Sequence, residues 1–419
     1  MFKNGLKKAK ISQDKKALLS NFFSLSVLQG LNMLLPLITL PYLVRVLGVE
    51  KFGLVNFALS IIMYFNILVS FGFELSATRE VSIHRDNSQK ISEVFSSVML
   101  IKTCLMLISF IVLTILTLTL EVFHSNAFLY YATFGVVVGN SIFPTWLFQG
   151  MEKMKYITYV NVFSKTLFTV LIFVLIKKSS DYIYVPVLNT LGIVLGGGYA
   201  FWLVFKLFSI KLVRPKKDVI IRELKDSFQF FLSRVANNGS RYFATTIIGL
   251  YFGNLIVGYY TMVEKLFYAF MSLGSVISQT IYPYMARTKN IEFLKKILVS
   301  VTALSAILLI PIIYFNEELL FIIYDEQNQM LSLFFVIVFC GAIFAIASAV
   351  LGYPLLAAFG YIKYANNSLI YASVIYVIYT TMAVFVTENI YIVVFAVPVY
   401  MFVGLLLRIY YIYKTKLIA

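Results

Sequence analysis

Arg234, Arg241, Glu264 and Lys265 are ionisable side chains set inside two long apolar runs in the middle of the chain. A charge at bilayer depth costs several kcal/mol, roughly 2.5–3.5 even on lenient insertion scales, so it persists where it faces a cavity or a partner. Guanidinium and ammonium groups there attract anions, and a carboxylate at the same depth can neutralise them. Function is expected at these positions.

The elements that must hold them are membrane helices. The chain has 419 residues, 60% apolar and 13% charged, against about 25% charged in an ordinary soluble domain. Each span needs about 20 apolar residues, and the sequence predicts about twelve spans at 19–45, 53–78, 93–119, 127–149, 154–176, 182–207, 227–252, 255–284, 294–315, 329–353, 364–387 and 389–412. Exposed irregular backbone is excluded in lipid, and the runs exceed barrel-strand length, so the fold class is an all-α integral membrane protein. The stretch 17–45 is too long for a signal peptide and is taken as the first span.

Basic residues accumulate on one side: 26 lie in the amino-terminal tail, the even-numbered turns and the carboxy terminus, Arg408 among them, against four on the other side. By the positive-inside rule both termini are cytoplasmic. The net charge of +16 is spread over membrane-flanking turns facing anionic lipid, which excludes a nucleic-acid binder. Cys104 and Cys340 fall inside spans as small apolar fillers. His84 and His124 lie in loops, so no metal and no cofactor is implied.

Offsetting the chain by 205 residues sets Gly48 to Gly53 over Gly253 to Gly258, and an offset of 210 sets Pro144, Gly150 and Lys153 over Pro354, Gly360 and Lys363. A repeat of six spans keeps its orientation, so two six-helix lobes, 1–210 and 211–419, are expected about a pseudo-twofold axis along the membrane normal. The boundary falls in the basic connector 208–226, read as a solvated linker.

The segments Phe143-Pro144-Thr145-Trp146-Leu147-Phe148-Gln149-Gly150, Ser76-Ala77-Thr78-Arg79-Glu80 and Gly253 to Tyr260 resemble motifs of Wzx-type polysaccharide flippases in the multidrug/oligosaccharidyl-lipid/polysaccharide exporter superfamily. The resemblance covers essentially the whole chain. It implies two lobes around a central cavity and transfer of undecaprenyl-diphosphate-linked oligosaccharide from the cytoplasmic to the periplasmic leaflet of the bacterial inner membrane by alternating access. Surface polysaccharides such as O-antigen or capsule are the implied product, with polysaccharide polymerase machinery as a further partner.

The residues suit that cargo. Arg234, Asn238 and Arg241, spaced i, i+4, i+7 with Asn237 adjoining, are expected to form a polar stripe along one side of span 7. A guanidinium fork matches phosphate oxygens, so two on one stripe could hold a diphosphate at successive depths. Glu264 reaches a depth similar to Arg241. Two readings stand: a structural ion pair between spans 7 and 8, or a pair that a proton- or sodium-coupled exchanger breaks and remakes. Lys265 points about 100° away and serves the same site from another angle. In the first lobe, Lys165 near the midplane and Lys102 are cavity-lining candidates, while Glu74 either lines an inner vestibule or pairs with Arg79. The repeat places Gln29 over Arg234 and Asn32 over Asn237 on span 1, where Pro36 and Pro41 allow either a static kink or a gate.

The loops are too short for a catalytic site, and no phosphate-binding glycine motif or acidic metal cluster is present, which argues against an enzyme. The alternative is a cation-coupled multidrug antiporter of the same superfamily, whose cavity should be acidic. Here the deep set is Lys102, Lys165, Arg234, Arg241 and Lys265 against Glu264, a sign that favours an anionic cargo.

Overall fold

A computed structural model describes residue 30 and residues 35–417, apart from the side chains of Ser233, Ala236, Asn237 and Leu273. Gln29 and Asn32, and the Asn237 side chain, lie outside the described residues. Among the described residues the secondary structure is helical throughout, with no strand. In chain order the helices are α1 (Leu35–Leu47), α2 (Val49–Ser70), α3 (Phe73–Ile83), α4 (Ser88–Thr119), α5 (Glu121–His124), α6 (Ala127–Ile142), α7 (Thr145–Gly150), α8 (Met154–Leu175), α9 (Tyr184–Phe208) and α10 (Lys217–Arg234). There follow α11 (Ser240–Tyr251), α12 (Asn254–Thr288), α13 (Ile291–Tyr314), α14 (Asn316–Tyr324), α15 (Gln329–Cys340), α16 (Ala342–Leu351), α17 (Ile362–Met382), α18 (Ile390–Val394) and α19 (Ala396–Lys414).

Nine helical stretches among the described residues are long and apolar enough to cross a membrane, and α1 is a shorter apolar helix. The protein is a multi-pass membrane protein. The expected spans 7 and 8 correspond to α10–α11 and α12, which are less apolar because they carry the charged and amide side chains singled out above. Between α10 and α11 the backbone widens into a π turn, Val235–Gly239. Its i→i+5 bonding accommodates about one extra residue, which rotates the following face by roughly 100°. The regular 3.6-residue period assumed for the stripe through Arg234, Asn238 and Arg241 is interrupted there.

The chain divides into two compact units. The first comprises the described residues of Met1–Thr39 with Ile61–Arg234. Its core gathers Phe73, Phe95, Trp146 and Phe148. Pro144, unable to donate a backbone hydrogen bond, separates α6 from α7, and the turn buries Trp146 against the Phe95 ring at 6.0 Å between centroids. Thr78 Oγ1 reaches the Trp146 carbonyl oxygen at 3.1 Å. A Cβ on Gly150 would stand 2.9 Å from the Thr78 carbonyl oxygen, so α7 and α3 touch through backbone. Two of the motifs that carried the family resemblance are thus one packing unit.

The connector after α9 is anchored, contrary to the solvated linker expected. Ser92 Oγ accepts from Lys211 N at 3.1 Å and Ser96 Oγ from Val213 N at 3.0 Å. Hydroxyls on α4 supply acceptors that an extended backbone would otherwise find in water. Cys104 and Cys340 are free and exposed, so they face outward and do not fill the interior.

The second unit comprises Leu40–Ser60 with Val235–Ala419. Gly48 and Gly253, the leading glycines of the two repeat turns, adopt φ of +77° and +84°, a region that glycine enters without strain. The two turns meet reciprocally. A Cβ on Gly53 would lie 1.9 Å from the Asn254 carbonyl oxygen, and one on Gly258 would lie 2.3 Å from that of Val49. Under the 205-residue offset Gly53 matches Gly258 and Val49 matches Asn254, so the contact maps onto itself, the signature of a twofold. The second landmark is looser: Pro144 precedes a short helix, whereas Pro354 lies in a π turn, Gly352–Ala357.

Candidate substrate-binding cavities

A cavity of about 560 Å³ lies within the second unit. It runs along α12, whose residues from Tyr260 to Gln279 line it, and is closed by α11, α15, α16, α17 and α19. Arg241 and Asn238 enter from α11 and the π turn, Glu264 from α12, and Arg408 from α19. Tyr260, Tyr268, Tyr353, Tyr376 and Tyr400 also line it.

Arg241 and Glu264 share the cavity without pairing within 4.0 Å; the guanidinium instead lies over the Tyr268 ring, 4.3 Å from its centroid. Cation–π stacking holds the plane by its face and leaves its edges for hydrogen bonding. Lys265 is half-buried and is not among the residues lining the cavity.

Arg408 is the residue that sequence reasoning missed. Counted as an inner flanking charge because it stands near the carboxy terminus, it is only 5% exposed. Its Nε donates to Ser368 Oγ at 3.2 Å, and one Nη donates to the Ser348 carbonyl oxygen and to Ser348 Oγ, the latter at 2.8 Å. Gly352 makes the room: a Cβ there would stand 2.8 Å from Arg408 Cζ. The available signal was the Ser348, Gly352 and Ser368 set, which meets α19 only in the fold.

Arg234 belongs to the first unit. It forms an ion pair with Glu74 across α10 and α3, the partner for which Arg79 was the sequence candidate. A second cavity, about 260 Å³, is lined by Lys165, Ser164, Asn140, Asn161 and Asn189 together with apolar side chains. Lys102, 5% exposed, donates from Nζ to the Asn140 carbonyl oxygen at 3.2 Å, and Asn140 Nδ2 donates to Asn66 Oδ1 at 3.1 Å. The two lysines therefore meet around Asn140.

Solved structures of membrane transporters share this many-helix fold. The fold is similar to an inward-facing multidrug resistance MATE family transporter of the MOP superfamily, with a TM-score of 0.67 at 14% identity over 95% of this chain and 98% of that one. It is also similar to the lipid II flippase MurJ in its inward closed conformation, with a TM-score of 0.71 at 15% identity over 96% of this chain and 87% of that one.

The chain belongs to the family described as polysaccharide biosynthesis protein, whose model matches residues 18–289. A protein named "Putative O-antigen transporter" from Escherichia coli (strain K12) is 32% identical over 303 residues, 71% of this chain and 72% of the relative. One of the same name from Shigella dysenteriae is 28% identical over 278 residues, 66% and 69% of the respective chains.

Proposed function

We propose that this protein is a flippase that carries undecaprenyl-diphosphate-linked oligosaccharide from the cytoplasmic to the periplasmic leaflet of a bacterial inner membrane, for O-antigen or another surface polysaccharide. It is a transporter and not an enzyme. The observation that carries this reading is the second unit's cavity, where Arg241 and Arg408 face a single carboxylate, Glu264. Family membership, the names of the relatives and the MurJ-like fold support it. Arg241, its plane fixed by Tyr268, is the residue assigned to the diphosphate, with cavity tyrosines and amides offered to the sugars. Lys165 and Lys102 add positive charge in the first unit, and Glu264 is the candidate for a coupling proton or sodium ion.

In this reading two lobes, 1–210 and 211–419, rock about a pseudo-twofold axis with both termini in the cytoplasm. The reciprocal Gly53 and Gly258 contact supports the symmetry. A cation-coupled multidrug antiporter is the second reading. Similarity to the MATE transporter favours it, and the excess of arginine in the cavity opposes it.

The test is complementation of a flippase-null strain by Arg241→Ala, with membrane abundance followed in parallel. Lipid-linked oligosaccharide is expected to accumulate on the cytoplasmic side while the protein remains abundant. Normal translocation by this variant would remove Arg241 from the mechanism and bring cation export forward.

A further inference from the structure

The two arginines of the large cavity stand apart along α12. Arg241 rests on Tyr268, whereas Arg408 binds Ser348, whose neighbour Ala349 accepts from Ser278 Oγ at 3.1 Å through its carbonyl oxygen. Tyr268 and Ser278 are ten positions apart on one helix, which at 1.5 Å per residue is roughly 15 Å. The contacts that hold the two guanidiniums are thus staggered along α12 by about three turns.

Their presentations also differ. Arg408 is clamped on its Nε and one Nη by Ser368 and Ser348, and it has no carboxylate partner among the described residues. Its second Nη makes no hydrogen bond among them and belongs to a side chain that lines the cavity. An arginine held in that way offers one edge, suited to a single oxyanion approached end-on. Arg241 is held by its face, and its forked edge is suited to bidentate contact. A buried guanidinium without a carboxylate is costly, and an arriving anion offsets that cost.

We infer that Arg408 is a second anion station in this cavity, which binds one phosphate or carboxylate oxygen group end-on, displaced along α12 from the station at Arg241. The inference rests on the reading that the cavity takes an anionic cargo. Two sources fit the chemistry: the diphosphate itself, occupying the two stations in turn, or an acidic substituent on the sugar chain, held at Arg408 while Arg241 holds the diphosphate.

The experiment is equilibrium titration of the full-length protein in lipid nanodiscs with inorganic pyrophosphate and, separately, with glucuronate. Wild type is expected to bind two equivalents of pyrophosphate. Arg408→Gln should lose one and retain the other, and Arg241→Gln should show the converse. Gly352→Ala, which pushes a methyl group into the Arg408 guanidinium without removing it, should weaken only the Arg408 station, by about tenfold, the loss of roughly one charged hydrogen bond. It serves if Arg408→Gln does not fold. Glucuronate that competes with pyrophosphate at the Arg408 station alone identifies an acidic sugar as the source. Pyrophosphate binding at both stations with no glucuronate competition identifies the diphosphate in two positions. A single pyrophosphate site in wild type, unchanged by Arg408→Gln and Gly352→Ala, overturns the inference whether or not the protein complements a flippase-null strain. Two sites in a protein that does not complement would retain the stations and reject the flippase.

Discussion

The two units present positive charge in different chemical forms. In the first, a small cavity combines Lys165 with three asparagines and a serine. In the second, a cavity of about twice the volume combines two arginines with one glutamate and five tyrosines. A lysine ammonium is a hydrated point charge on a flexible stem, while a guanidinium is a planar fork that can be aimed. Repeat-related halves need not divide the work equally. In the proposed reading the first unit offers diffuse positive charge among hydrogen-bonded amides, and the second offers directed anion contacts.

That contrast can be broken at several points. The largest effect is expected from Trp146→Ala, which empties the centre of the first unit's core and should destabilise it by about 3–5 kcal/mol. Hydrogen exchange should then show protection falling across Ile61–Arg234 while Val235–Ala419 keeps its own; equal loss in both would mean that the units are not separate cooperative bodies. A smaller effect separates fork from point charge. Arg241→Lys should lower translocation by about tenfold, the loss of one charge-assisted contact, whereas Lys165→Arg should be tolerated. Equal sensitivity at the two positions, measured as periplasmic delivery of lipid-linked oligosaccharide, would erase the distinction.

The smallest effect concerns Glu223, on α10 in the first unit. Only 3% exposed, it lies 3.6 Å from Arg222, and burial, with Glu80 adding to it, raises its pKa above the ordinary carboxylate value. A raised carboxyl pKa means that the folded state binds the proton more tightly than the unfolded one. Stability from this group is therefore present at low pH and declines as pH rises from the ordinary carboxylate range through the folded value. Glu223→Gln should flatten that decline in thermal unfolding followed above about pH 4.3, the ordinary glutamate value, and should leave the second unit's profile unchanged.

Much of the frame was legible in the sequence because lipid imposes it: apolar runs of sufficient length become helices, and glycines at matching offsets become matching turns. Gly48 and Gly253, set in register by the 205-residue offset, both adopt a positive φ. The side-chain pairings were less accessible. A regular 3.6-residue period put Arg234 and Arg241 on one face, but Val235–Gly239 adopts a π turn, and nothing in a helical-wheel reading signals the extra residue. Arg408 was misplaced because proximity to a terminus resembles proximity to water. Its burial depends on Ser348, Gly352 and Ser368 converging from two other helices, a tertiary fact with no local trace.

The interlocked turns of the second unit have a consequence for ancestry. Val49 against Gly258 and Asn254 against Gly53 is the seam that a half-length protein would form with an identical copy of itself. A pair of small identical subunits joined at that seam could be made into one chain by a linker such as the one after α9, without altering the contact. Once joined, each half was free to change its interior on its own, which is how a lysine-and-amide chamber and an arginine-and-tyrosine chamber can descend from one gene segment.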